Sequence, residues 1–162
     1  MKWKSNFFSS NYRIFEDEEK IGYLKEKAFR NTAKAKLKEA GLKFQKKGFF
    51  KDETEIRDLE TGDKRGQILY NGWGSKAQFM LNGQNYELKY TNIWNTKWTV
   101  YDESGEAIIN YKSSTFSGNI ETDKTDEALI LAGLYIHNYY VQISLFMMVI
   151  IVIVISGNGW LG

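Results

Sequence analysis

The 162-residue chain contains no cysteine, no proline and a single histidine, and no charged side chain follows Glu127. The lack of cysteine excludes a disulfide scaffold, a thiolate nucleophile, an iron–sulfur cluster and a cysteine-based zinc finger. With no proline, strands can run through the middle of a sheet without losing ladder hydrogen bonds. The opening MKWKSNFFSS lacks the unbroken apolar core of a secretory signal, so the N-terminus is expected to stay on the protein. Together with the absence of Asn-x-Ser/Thr acceptor sites, this fits a protein facing the cytoplasm.

What is present is one domain's worth of core, 43% hydrophobic residues, and a very uneven charge. The net charge of +2 hides a basic block from Lys25 to Lys51, where ten Lys or Arg stand against Glu26 and Glu39. An acidic stretch from Asp52 to Asp63 follows, and the two could neutralise each other if folded side by side. The 35 residues after Glu127 carry no charge at all.

The middle of the chain reads as short antiparallel strands. Glu55 to Leu59 and Gln67 to Tyr70 flank the turn Glu60-Thr61-Gly62-Asp63. Lys76 to Leu81 and Gln84 to Tyr90 flank Asn82-Gly83, the strongest hairpin signal because both residues tolerate positive φ. Lys97 to Tyr101 and Glu106 to Tyr111 form another pair, with a further strand over Phe116 to Glu121. Nearer the start, Tyr12 to Phe15 and Ile21 to Leu24 read as a hairpin, and Leu42 to Phe50 as a strand. Residues 28–40 are ambiguous, since good helix formers coincide with the alternation Ala33, Ala35, Leu37 against Lys34, Lys36, Lys38. The period of two favours a strand, with a helix ending at Gly41 as the alternative.

So many strands must curl or close to hide their edges and second face. The expected fold is mainly β, a closed or strongly curved antiparallel β-barrel around a hydrophobic C-terminal helix. That helix, over residues 126–140 with initiation near Thr125, has apolar residues around almost its whole circumference and must be buried on all sides in protein or lipid. Residues 141–162 form an apolar tail. If Tyr135 to Ile155 is one continuous helix, its 21 residues approach the ~20 needed to cross a bilayer. In that reading Tyr135, Tyr139, Tyr140 and Trp160 would form aromatic belts around Val141, Phe146, Ile150 and Ile155. The β-branched run Val149 to Ile155 would equally suit a strand packed in the core.

The order of several segments resembles the tubby-like C-terminal fold shared by LURP-one-related and phospholipid-scramblase-like proteins. These segments are Gly48-Phe49-Phe50 leading to Glu55-Ile56-Arg57-Asp58, the Thr61-Gly62 turn, Trp73 to Leu81 with Asn82-Gly83, Trp98 to Gly105, and Gly118-Asn119-Ile120 before the Leu129 to Tyr140 helix. The resemblance covers roughly Tyr12 to Tyr140. It implies a closed barrel around a helix and a role at membranes or phosphoinositide headgroups, and Val141 to Ile155 departs from it as an extra apolar run.

The candidate lipid-surface residues are Lys34, Lys36, Lys38, Lys43, Lys46 and Lys47, each worth about 1 kcal/mol near an anionic leaflet if it faces one. The opposing reading is a solvated strand face that blocks edge pairing. No catalytic residue, cofactor or metal site is expected. His137 lies in the apolar segment away from any nucleophile, the carboxylates Asp52, Glu53, Glu55 and Asp58 lack the spacing of a calcium loop, and Gly72-Trp73-Gly74 and Gly157-Asn158-Gly159 lack the context of a phosphate loop. Trp73, Trp94 and Trp98 are expected to pack in the barrel, stacking on nucleic acid being the lesser possibility. The expected function is a non-enzymatic, membrane-associated or lipid-surface-binding domain facing the cytoplasm, with an anionic phospholipid or membrane surface as partner. A soluble interaction module with its whole tail buried is the alternative, followed by phospholipid transfer.

Overall fold

The computed structural model describes residues 1–6, 9–26, 31–47, 52–71, 76–124 and 126–157. Twelve strands run in chain order: β1 Lys2–Asn6, β2 Ser9–Glu16, β3 Glu19–Glu26, β4 Thr32–Leu37, β5 Ala40–Lys47, β6 Glu53–Asp58, β7 Lys64–Tyr70, β8 Lys76–Leu81, β9 Gln84–Tyr90, β10 Lys97–Asp102, β11 Ala107–Ser114 and β12 Ser117–Glu121. Each pairs antiparallel with its neighbours in sequence, and β1 pairs with β12, with Trp3 opposite Gly118, to close the barrel. One helix, α1 Glu127–Gly157, follows.

Alternation along the strands builds the interior. Ala33, Ala35 and Leu37 of β4 face inward beside Leu42 and Phe44 of β5, while Lys34 and Lys36 lie on the outer wall. The period of two thus decides residues 32–37 in favour of a strand, because burying the Ala/Leu row outweighs helix propensity there. Tight turns follow local chemistry. Asn82 (φ 53°) and Gly83 (φ 81°) supply the positive φ that a two-residue hairpin demands. The short strand β1 is not evident in the sequence pattern. Only Trp3 of its five residues is buried, and the strand is defined chiefly by the two edges it joins.

A twelve-strand barrel has a bore too wide for strand side chains to fill alone. The first part of α1 fills it: Leu129, Ile130, Leu131, Leu134, Tyr135 and Ile136 are all at most 2% exposed. Asp126 caps the helix, its Oδ1 accepting from the Leu129 amide at 3.0 Å, whereas Thr125 lies outside the described residues. Burial ends after Tyr140 for a geometric reason. The 13 residues from Ala128 to Tyr140 rise about 20 Å, comparable to the ~20–26 Å of strands six to eight residues long. The helix then continues without a break beyond the barrel, and from Val141 to Ile155 its large apolar side chains are 36–69% exposed.

At the end where α1 enters, the connections carry Asp17, Glu18, Glu39, Glu60, Asp63, Glu103, Glu106 and Asp123 against Lys38 and Lys124, an acidic excess. At the end where it emerges, the described turns 91–96 and 115–116 carry no charge, and Asp52 is the charged described residue in the connections there.

Candidate functional site

The exit end of the barrel is the candidate site. A polar collar grips α1 as it leaves. The Glu26 carboxylate, 4% exposed, pairs with the Lys46 ammonium at 2.5 Å and accepts from the Asn138 amide at 2.8 Å and the Gln142 amide at 2.5 Å. Gln142 also donates to Ser10 Oγ at 2.8 Å, and the Tyr140 hydroxyl donates to the Lys76 carbonyl at 2.6 Å. Strands β2, β3, β5 and β8 are so tied to one turn of helix. Asn138 and Gln142 are four residues apart and share a helix face. That spacing inside an otherwise apolar run is the signal from which the collar could have been read.

The expected lysines separate. Lys46 points inward to Glu26 and lies over the Tyr139 ring at 5.6 Å. Lys38 sits in the turn at the far end, paired with Glu16 at 2.8 Å, and each group shifts the other's pKa so that both stay charged: Glu16 is lowered and Lys38 raised. Lys47 stands opposite Glu53, and Lys36 opposite Tyr23. Lys34 and Lys43 belong to a longer row. In register across five strands stand Lys25, Lys34, Lys43, Arg57 and Lys64, each directly opposite the next. Like charges so placed repel, at a cost to the sheet. The acidic stretch offsets little of this, because Arg57 rather than a carboxylate faces Lys43. Arg57 does bond Glu55 and, at 2.8 Å, the Gly62 carbonyl. The row starts beside the collar at Lys25 and winds down the outer wall.

Tyr135, Tyr139 and Tyr140 of the apolar segment lie within the barrel. Tyr135 stacks on Phe44 with ring centroids 4.0 Å apart, and Tyr139 stacks on Tyr70 at 3.6 Å. The 21-residue span counted from Tyr135 is therefore not all available to a bilayer. What projects is Val141, Phe146, Ile150, Ile155 and the residues between them; Phe146 is 65% exposed. Trp160 lies outside the described residues, as do Trp73 and the Gly48-Phe49-Phe50 segment. Of the tryptophans expected to pack in the barrel, Trp98 does so, fully buried between Tyr111 and His137. Trp94 does not. It is 79% exposed on the turn from β9 to β10, which is too short to fold back over the interior.

His137 is buried, stacked on Trp98 at 3.8 Å, and shares a hydrogen bond of 2.9 Å between its Nδ1 and the Tyr90 hydroxyl. Among the described residues no three His, Asp or Glu side chains converge as a metal site. Searches against protein-family models, curated proteins and solved structures find no match for this chain.

Proposed function

We propose that this protein is a non-catalytic, membrane-attached barrel whose emergent helix half enters a lipid bilayer. One observation carries the reading. From Leu145 to Ile155 every consecutive residue is apolar and exposed, so the helix is greasy around its full circumference. A groove on a partner protein covers one stripe of such a helix. A bilayer covers all of it, and the helix satisfies its own backbone there. The exposed stretch from Val141 to Ser156 is about 24 Å long, most of a hydrocarbon core of ~30 Å. Glu127–Ser156 is long and apolar enough to cross a membrane, and an 18-residue window within it reaches a mean hydropathy of 2.3.

In this reading the barrel, which carries the Lys and Arg of the given chain, lies on the cytoplasmic face, where anionic lipids would meet it. There Lys25 and Lys34, the end of the row nearest the collar, come closest to an anionic leaflet, and bound lipid phosphates would relieve their mutual repulsion. A barrel threaded by a helix is also what the resemblance to the tubby-like fold implies, and membership of that superfamily forms part of this reading. Transbilayer lipid transfer is disfavoured because α1 occupies the bore. A soluble module needs a second chain to cover the helix.

Alkaline carbonate extraction of membranes containing the full chain tests the proposal. The protein should stay with the pellet, and complete release into the supernatant would overturn it.

A further inference from the structure

The most exposed large apolar residues of the described chain are away from the helix. Ile93 and Trp94 are 87% and 79% exposed at the tip of the turn joining β9 to β10. The turn is built to hold them there. Asn92 Oδ1 accepts from the Thr96 amide at 2.9 Å and the Lys97 amide at 3.0 Å, and Asn92 Nδ2 donates to Thr96 Oγ1 at 2.7 Å. Asn95 closes the turn with φ 52°, its amide bonded to the Asn92 carbonyl at 3.2 Å. The Thr96 carbonyl in turn accepts from Ser113 of β11 at 2.7 Å.

The position of the turn matters as much as its content. It lies at the end from which α1 emerges, because β9 and β10 run antiparallel from it towards the acidic end, and Tyr90 beneath it contacts Tyr140 edge-on at 6.0 Å. Just below the turn on the outer wall, Lys97 of β10 stands directly opposite Lys112 of β11. Both are exposed, and neither forms an ion pair with a described residue.

We infer that the Ile93-Trp94 turn is a second membrane contact, seated at the boundary between headgroups and acyl chains, with Lys97 and Lys112 at the level of the lipid phosphates. An indole with one apolar body and one N–H prefers that boundary, and a lysine pair suits anionic headgroups. The inference rests on insertion of α1 at the same end. A single helix would leave the barrel free to tilt and spin about its anchor, and a rigid turn beside it fixes which wall faces the lipid.

The chain has no cysteine, so a single introduced thiol carries a polarity-sensitive dye without background. Three full-length variants are labelled and reconstituted into phosphatidylcholine vesicles containing phosphatidylserine: Ile93→Cys, Ser104→Cys on the opposite end, and Phe146→Cys on the exposed helix. The expected result is a blue shift at positions 93 and 146 and none at 104. Bromines placed shallow in the acyl chain should quench position 93 best, and deep bromines position 146. Adding Trp94→Asp to Ile93→Cys should return the dye to its aqueous emission. If position 146 shifts while 93 behaves like 104, the second contact is refuted and the helix anchor stands. A blue shift at 93 without bromine quenching marks a protein contact and also refutes it. If position 146 itself stays aqueous, the anchor fails and the second contact falls with it.

Discussion

The Tyr111 hydroxyl reaches the backbone of α1 through the gap left by Gly133, donating to the Ile130 carbonyl at 3.0 Å. A Cβ on Gly133 would lie 2.3 Å from that hydroxyl oxygen and 2.8 Å from the ring carbon bearing it. The ring cannot step aside, because its other face stacks on Trp98, which stacks on His137 one turn further along the helix. Two effects oppose each other in Gly133→Ala. Helix propensity gains about 1 kcal/mol, and overpacking a filled core loses about 1–3 kcal/mol. The variant is expected to be less stable, with partial rescue by Tyr111→Phe, as measured by denaturant midpoints in a mild detergent that shields the exposed helix. A Gly133→Ala protein more stable than the parent would disprove this packing.

The collar makes a second prediction. Glu26→Ala removes the partner of an inward-facing Lys46 whose side chain is 11% exposed, and breaking a buried pair from one side costs about 3–5 kcal/mol. Replacing both residues, as in Glu26→Leu with Lys46→Met, should cost clearly less, since no unpaired charge is left behind. Equal losses in the single and double variants would mean that the pair does not couple β3 to β5.

These two devices differ in how far the sequence discloses them. Strands β8 and β9 could be read with their boundaries, because Asn82-Gly83 fixes the turn and the flanking residues alternate. The lysine alternation likewise disclosed β4. Glu26 gave no such sign, since its partners are 20, 112 and 116 residues away and meet it only once the barrel has closed. Neither half of α1 carries a charge after Glu127, so charge does not tell the buried half from the exposed one. What separates them is the height of the barrel, a property of all the strands together. Lys46 shares the inward parity of Leu42 and Phe44 on β5, whereas composition alone does not distinguish Trp94, exposed on a turn, from the buried Trp98.

Alkaline titration offers a test of the interior. Burial, foremost, pushes the phenols of Tyr12, Tyr70, Tyr90 and Tyr111 well above their ordinary range. Their acid form is the neutral one, so a folded pKa above the unfolded value gives stability that is complete below pH ~10 and is lost as the pH rises further. These tyrosines should ionise only as the barrel opens, so the late rise in phenolate absorbance should coincide with loss of the β-sheet circular dichroism signal. Ionisation of all ten tyrosines with the sheet signal intact would contradict the burial described.

The basic row sets stability against membrane attraction. Lys34 stands between Lys25 and Lys43 in register, so Lys34→Glu turns two repulsive neighbours into attractive ones. On an exposed wall this should stabilise the barrel by a few tenths of a kcal/mol at low ionic strength, an effect that fades as salt screens it. If the row faces an anionic leaflet, the same change should weaken the dependence of vesicle binding on phosphatidylserine content. Comparing thermal midpoints and flotation with anionic and neutral vesicles separates the outcomes. Higher stability with unaltered lipid preference would leave the row as a solvated wall, whereas a gain in stability accompanied by a loss of anionic preference would show repulsion retained for the sake of the lipid surface.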